Sequence, residues 1–184
     1  MSIVSGESIL LDAEKILSHL KIGEGMRVGE LGCGGRGHFV FPAVRLVGTK
    51  GRVYAVDILK ACLTAIEHQA TEEHWPHVMT VWSNLEIVGA TKIPNGELDR
   101  ATLINILFQV HDLSAIFTEA RRLLKREGLL LVIDWSGASS PFGPSADRRI
   151  MPEKTIALAE RVGFRSVEQF KAGPHHYGII FQAC

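Results

Sequence analysis

Short apolar runs and amphipathic stripes alternate along this chain of 184 residues. In residues 9–20, ILLDAEKILSHL, the side chains of Leu10, Ala13, Leu17 and Leu20 fall on one helical stripe, with Ile9 and Ile16 alongside. Ser5, Glu7 or Ser8 is placed to cap that helix. MRVGEL, bounded by glycine, predicts a first strand. HFVFPAVRLVG predicts a helix ending at Gly48, with Pro42 in its first turns, where the ring is tolerated. Further strands are predicted in GRVYAVD, HVMTVW, LDRATLINILF and GLLLVIDW, with helices over KACLTAIEHQATEEH and LSAIFTEARRLLK. NLEIVGATKIPNGE contains Pro-Asn-Gly and is too broken for a long helix. A loop rich in Gly, Ser and Pro spans 136–151. PEKTIALAERVG has Pro152 at its start and Gly163 at its end, as a helix should. FRSVEQFKAG and YGIIFQAC close the chain as two strands around a short PHH turn.

Strands alternating with helices imply an α/β fold: a doubly wound, seven-stranded, mostly parallel sheet with helices on both faces. The nearly continuous apolar run of GLLLVIDW marks a strand covered on both sides. From Gly173 to His176 there is no room for a crossover, so the last strand is predicted to be antiparallel. Without a repeat or linker, residues 1–184 read as a single domain.

Composition narrows the partners. Hydrophobic residues make up 46% and charged residues 22%, as in a soluble globular protein. Lys plus Arg equals Asp plus Glu at 20 each, so no global field draws in nucleic acid or an anionic membrane. No signal-peptide pattern opens the chain, and no apolar run nears the ~18 residues of a membrane helix. Cys33, Cys62 and Cys184 lie far apart and form no CxxC pair, which predicts reduced thiols and a cytoplasmic location.

The candidate chemistry lies in VGELGCGGRGHFV, residues 28–40, with four glycines in six positions. The turn follows a strand and opens a helix, so it lies at the carboxyl edge of the sheet, where such folds bind ligands. Gly32, Gly34 and Gly37 satisfy G-x-G-x-x-G, and Asp57 ends the next strand 25 residues after Gly32. An acid there accepts hydrogen bonds from ribose hydroxyls. Two ligand classes compete. A dinucleotide lays its pyrophosphate on the helix N-terminus, whereas S-adenosylmethionine has no phosphate and carries a sulfonium cation. Glu30, two residues before Gly32, repels the first and favours the second. The Tyr-x-x-x-Lys of compact dehydrogenases is absent, since Tyr54 leads to Ile58 and Tyr177 to Phe181.

VGELGCGGRG, the acid closing VYAVD, and LDRATLINILFQVHD resemble motifs of the class I S-adenosylmethionine-dependent methyltransferases, and the resemblance covers nearly the whole chain. The antiparallel last strand belongs to the same pattern. The resemblance implies that Glu30, Gly32 and Gly34 line the methionine part of the cofactor, the glycines because a side chain would collide with it. Asp57 would bind the ribose diol and Ile58 would pack on adenine. Asn84 stands where the family often has an acid for the adenine amino group, and Leu85 would offer its backbone amide. Asn105 would face the amino-acid end of the cofactor. The third glycine of the family often comes one residue earlier than Gly37, which leaves the roles of Gly35 and Arg36 open.

Methyl transfer is an in-line displacement that depends mainly on alignment, and a base is needed only for a protonated acceptor. Candidates are His111 and Asp134, with Trp135 and the pair His175–His176 at strand ends. Each also has a structural reading: solvated or capping for His111 and Asp134, packing for Trp135, turn polarity for the histidine pair. His68, His74 and His77 read as surface histidines, not as metal ligands, and EARRLLKRE as a solvated helix face. The N-terminal helix, within residues 1–24, and the 136–151 loop are candidates for a lid. The expected partner is a small-molecule acceptor. Three readings stay open: a methyltransferase, a protein that binds S-adenosylmethionine without transfer, and an NAD-dependent oxidoreductase.

Overall fold

The apolar runs become strands β1 (Arg27–Leu31), β2 (Arg52–Asp57), β3 (Val78–Trp82), β4 (Leu98–Ile104), β5 (Leu124–Trp135), β6 (Phe164–Gly173) and β7 (His176–Ala183). The computed structural model describes residues 11–138, 140 and 143–184. The strands form one sheet in the order β3-β2-β1-β4-β5-β7-β6. β1 to β5 are parallel, and β7 runs antiparallel to both β5 and β6. Only Pro174 and His175 separate β6 from β7, so the hairpin follows from chain length alone.

Helices α1 (Ala13–Ser18), α2 (Val40–Val47) and α3 (Lys60–Glu72) cover one face, with Ile16, Leu17, Val44 and Ile66 packed on Val28, Ala55 and Ile133. Helices α4 (Leu113–Leu123) and α5 (Pro152–Arg161) cover the other, where Ile116, Phe117 and Ala159 meet Leu103, Val132 and Phe181. Each fully buried Leu, Ile or Phe contributes about 1.5–3 kcal/mol, so both faces of the central strands stabilise the fold. From β1 the chain winds outward through β2 and β3, then returns to lay β4 against the other side of β1. The switch point between β1 and β4 is where open α/β sheets leave a crevice.

Three boundaries differ from the sequence pattern. Asp12 caps α1, accepting from Lys15 N at 3.1 Å; Ser5, Glu7 and Ser8 lie outside the described residues. The helical stripe reaches Lys125, yet α4 ends at Leu123 because Leu124 pairs with Leu98 in the sheet. Register then shifts, and Glu127 takes a φ of 64° before Leu129 pairs with Arg100. The apolar run after β4 stops at Asn105, whose φ of 55° turns the chain out of the sheet. Asparagine tolerates that left-handed conformation better than most residues.

Candidate active site

Backbone hydrogen bonds staple the glycine turn to β2. Gly32 N and Cys33 N both donate to Val56 O, at 2.8 and 3.0 Å. Gly34 N donates to Asp57 Oδ2 at 2.9 Å, and Leu59 N to Asp57 Oδ1 at 2.8 Å. Each Asp57 oxygen has thus accepted one bond. A carboxylate has about four lone-pair sites, so each oxygen can still accept a hydroxyl.

The glycines have different reasons. At Gly32, with φ +87°, an added Cβ would meet the tip of the Ile106 side chain, and the left-handed backbone itself disfavours a larger residue there. At Gly34, with φ +61°, an added Cβ meets nothing within 4 Å. That bare, open main chain lies one hydrogen bond from Asp57. Gly37 lies against the Phe41 ring, on the helix side of the turn.

Glu30 sits between Ala55 of β2 and Thr102 of β4 in the strand register, 6% exposed. It makes no hydrogen bond or ion pair with the described residues, and burial pushes its carboxyl well above the usual 4.5. Thr102 Oγ1 and Asn105 Oδ1 are also buried without a partner among the described residues. Unpaired buried polar groups cost about 1–3 kcal/mol each, and three of them gather at the switch point. An acid and two acceptor oxygens beside open main chain suit a ligand with a cationic, hydrogen-donating end. A pyrophosphate would be repelled.

The part of the edge around Asn84 is less open. Asn84 Oδ1 already accepts from Glu86 N at 2.9 Å, leaving its NH2 group and one lone pair. Leu85 is buried and Ile58 is 54% exposed. Trp82, 59% exposed, donates from Nε1 to Ile58 O at 2.9 Å and extends the apolar rim. Sequence reading missed Trp82, because an aromatic at a strand end gives no signal for its direction.

The candidate bases part company. His111 is exposed; its backbone amide and that of Asp112 both donate to Glu86 Oε1 at 2.7 Å. Asp134 is fully buried, with Oδ2 accepting from Leu107 N at 2.9 Å and Oδ1 from Trp135 N at 2.8 Å. Side chains alternate along a strand, so Asp134 lies on the face opposite Glu30, while Trp135 shares the Glu30 face through Thr102 and Leu131. The pair His175–His176 is not simply turn polarity. His176 belongs to β7, is 1% exposed and packs on Trp135. Of the other histidines, His68 pairs with Glu72 on the surface at 3.4 Å, His74 bonds Glu72 O at 3.0 Å, and His77 Nε2 is buried without a partner. A cavity of about 740 Å³ opens between α1, α2 and α3 behind Gly37. It lies on the helix side of the turn and is distinct from the sheet edge.

A family model described as a methyltransferase domain matches residues 29–132. The chain is 24% identical over 159 residues to a 2-phytyl-1,4-naphtoquinone methyltransferase of Trichormus variabilis, spanning 82% of this chain and 68% of that protein. The Synechocystis sp. enzyme of the same name is 24% identical over 138 residues, 75% of this chain and 56% of its own length. In three dimensions the chain resembles a SAM-dependent methyltransferase from Aquifex aeolicus, with a TM-score of 0.86 and 21% identity, covering 95% of this chain and 91% of that one. The matched segment runs from β1 through β5 and contains the glycine turn, Glu30, Asp57 and Asn105. The chain therefore belongs to the methyltransferase-domain family and is a class I S-adenosylmethionine-dependent methyltransferase.

Proposed function

We propose that the carboxyl edge over β1, β2 and β4 holds S-adenosylmethionine and presents its methyl group to a small, uncharged acceptor. The observation that carries this reading is Glu30, a buried carboxyl with no partner among the described residues at the head of an open glycine turn. When bound, the cofactor supplies an electrophilic methyl group on a positively charged sulfur. The chain's own work is placement. Glu30 and Asn105 Oδ1 receive the ammonium group of the amino-acid end, Gly34 gives it room, and Asp57 takes the ribose hydroxyls on its free lone pairs. Ile58, Asn84 and Leu85 border the base. Holding both reactants aligned supplies much of the rate, so no side chain need carry a proton unless the acceptor arrives protonated.

The acceptor class takes support from the two relatives named for a naphthoquinone substrate. Residues 1–184 act in this reading as one unit. Leu11, Ile16, Leu17 and Leu20 are buried in the body of the fold, which fixes α1 there; the part of the N-terminal lid candidate before residue 11 lies outside the described residues. Three free cysteines, and no helix among the described residues long and apolar enough to cross a membrane, support action in the cytoplasm. Calorimetric titration with S-adenosylhomocysteine tests the site. Wild type should bind, Glu30→Gln and Asp57→Ala should bind at least ~tenfold more weakly, and equal affinity in all three would remove the assignment. Turnover against a quinol panel then tests the acceptor.

A further inference from the structure

Beyond β4 the same edge continues onto β5 and β7, where Trp135 and His176 are register partners with ring centroids 4.2 Å apart. Their exposures are 0% and 1%. Trp135 Nε1 and both ring nitrogens of His176 have no partner among the described residues. Buried polar groups in native proteins are normally satisfied by protein, water or ligand. The pair lies on the Glu30 face of the sheet, two and three strands from β1, about 10–15 Å at the usual strand spacing. With adenosine over β1 and β2, this is the far side, where an acceptor must stand.

The chemistry of the pair is selective. The Arg149 guanidinium is 5.7 Å from the Trp135 ring, yet it donates to Pro144 O at 3.1 Å, Ser136 O at 3.0 Å and Ala138 O at 2.5 Å. Three of its five N–H groups are thus committed to carbonyls of its own loop, and its charge repels a cation. Burial above all, then His175 and Arg149, pushes the His176 imidazole down to about 4 and keeps it neutral. A neutral imidazole has one donor and one acceptor, and the indole adds a second donor. Two donors and one acceptor are the complement of a hydroxyl group. Ile104, the register partner of Ile133, lies on the same face and gives the surroundings an apolar character.

We propose that Trp135 and His176 form the acceptor subsite and hold the hydroxyl of a neutral phenol- or quinol-type acceptor between indole N–H and imidazole. The inference rests on the cofactor placement proposed above. Gly143 lies against the indole, where an added Cβ would stand 2.5 Å from the ring.

The test is calorimetry on the full chain saturated with S-adenosylhomocysteine, using naphthol and naphthoic acid as probes. Naphthol should bind, and naphthoic acid at least ~tenfold more weakly. Trp135→Phe and His176→Phe should each weaken naphthol about tenfold, the effect of one lost buried hydrogen bond. His176→Gln keeps a donor and an acceptor and should stay within about threefold of wild type, with S-adenosylhomocysteine affinity unchanged throughout. Should His176→Phe fail to fold, Trp135→Phe alone decides. The subsite is overturned if the Phe variants hold naphthol as tightly as wild type, as they would if water satisfied these nitrogens. It is also overturned if naphthoic acid binds better, or if naphthol does not bind to protein that does bind S-adenosylhomocysteine. Failure of wild type to bind S-adenosylhomocysteine refutes the cofactor placement instead.

Discussion

The amide of Gly34 donates to Asp57 Oδ2 at 2.9 Å, so the acid at the end of β2 holds the glycine turn in place. Its other oxygen holds Leu59 N at 2.8 Å. Asp57→Ala should therefore lower stability by about 3 kcal/mol, from two charge-assisted bonds at ~1.5 kcal/mol each. It should also weaken S-adenosylhomocysteine about a hundredfold, a factor of ten for each lost ribose contact. Asp57→Asn, which keeps one acceptor, should fall between. Thermal unfolding and calorimetry on the same samples separate the two effects.

Gly32→Ala and Gly34→Ala should behave oppositely. Alanine at position 34 meets no atom of the protein within 4 Å, so its only stability penalty is the left-handed backbone, about 1–2 kcal/mol. The variant should fold and bind cofactor at least ~tenfold more weakly, its methyl standing where the ligand approaches. At position 32 the new methyl meets the tip of the Ile106 side chain, which must turn aside, and the crowding adds at most about 1–3 kcal/mol to the backbone strain. Circular dichroism should show a lower melting temperature for that variant than for Gly34→Ala.

Glu30 makes stability and binding respond to pH in opposite directions. Burial raises its folded pKa above the usual 4.5, so the folded state holds the proton more tightly than the unfolded chain. The contribution of Glu30 to stability is then highest below about 4.5 and falls as pH rises toward the folded pKa. Glu30→Gln should flatten this decline and raise the melting temperature at neutral pH. In the proposed placement Glu30 meets a cation, which favours its ionised form, so affinity in wild type should rise over the same pH interval, with proton release measurable in buffers of different ionisation enthalpy. A Gln variant with the wild-type pH profile would show that another group is responsible.

Glu119 anchors the segment that carries Asn84 and Leu85. It is fully buried on α4, accepts from Gly89 N at 2.7 Å and Thr91 N at 3.2 Å, and pairs with Arg122 at 2.7 Å. Burial alone raises its pKa, but Arg122 and the two amides outweigh it and hold the carboxyl at about 2. A depressed pKa stabilises the fold above the ordinary 4.5, and that stability is lost as pH falls toward about 2. Glu119→Gln should lower stability by about 2–3 kcal/mol at neutral pH and abolish most of the acid sensitivity in urea titrations between pH 5 and 2. No such change would mean the segment is held by other contacts.

Most of the architecture was legible from periodicity and connection length. The strands, the helices on both faces and the antiparallel β7 follow from apolar runs, stripes and a two-residue turn between Gly173 and His176. Helix ends were less legible. Leu124 belongs to a strand because Leu98 stands opposite, a contact 26 residues away that no local pattern carries. In the candidate site, the positions of the turn, Glu30 and Asp57 were readable because strand ends and glycine spacing fix where they lie. The reason for Gly32 was not, since Ile106 reaches it from the far end of β4.

By itself the sequence determined the parallel sheet, the glycine turn at its carboxyl edge and the acids on either side, because these depend on local spacing and charge. Tertiary structure decided which polar groups are left without partners. Asp134 and Trp135 are neighbours in the chain, yet pleating sends them to opposite faces, one bonded to the main chain and the other unpaired beside His176. Whether a buried group is satisfied depends on atoms brought in from distant strands, so only the folded chain distinguishes scaffold from site.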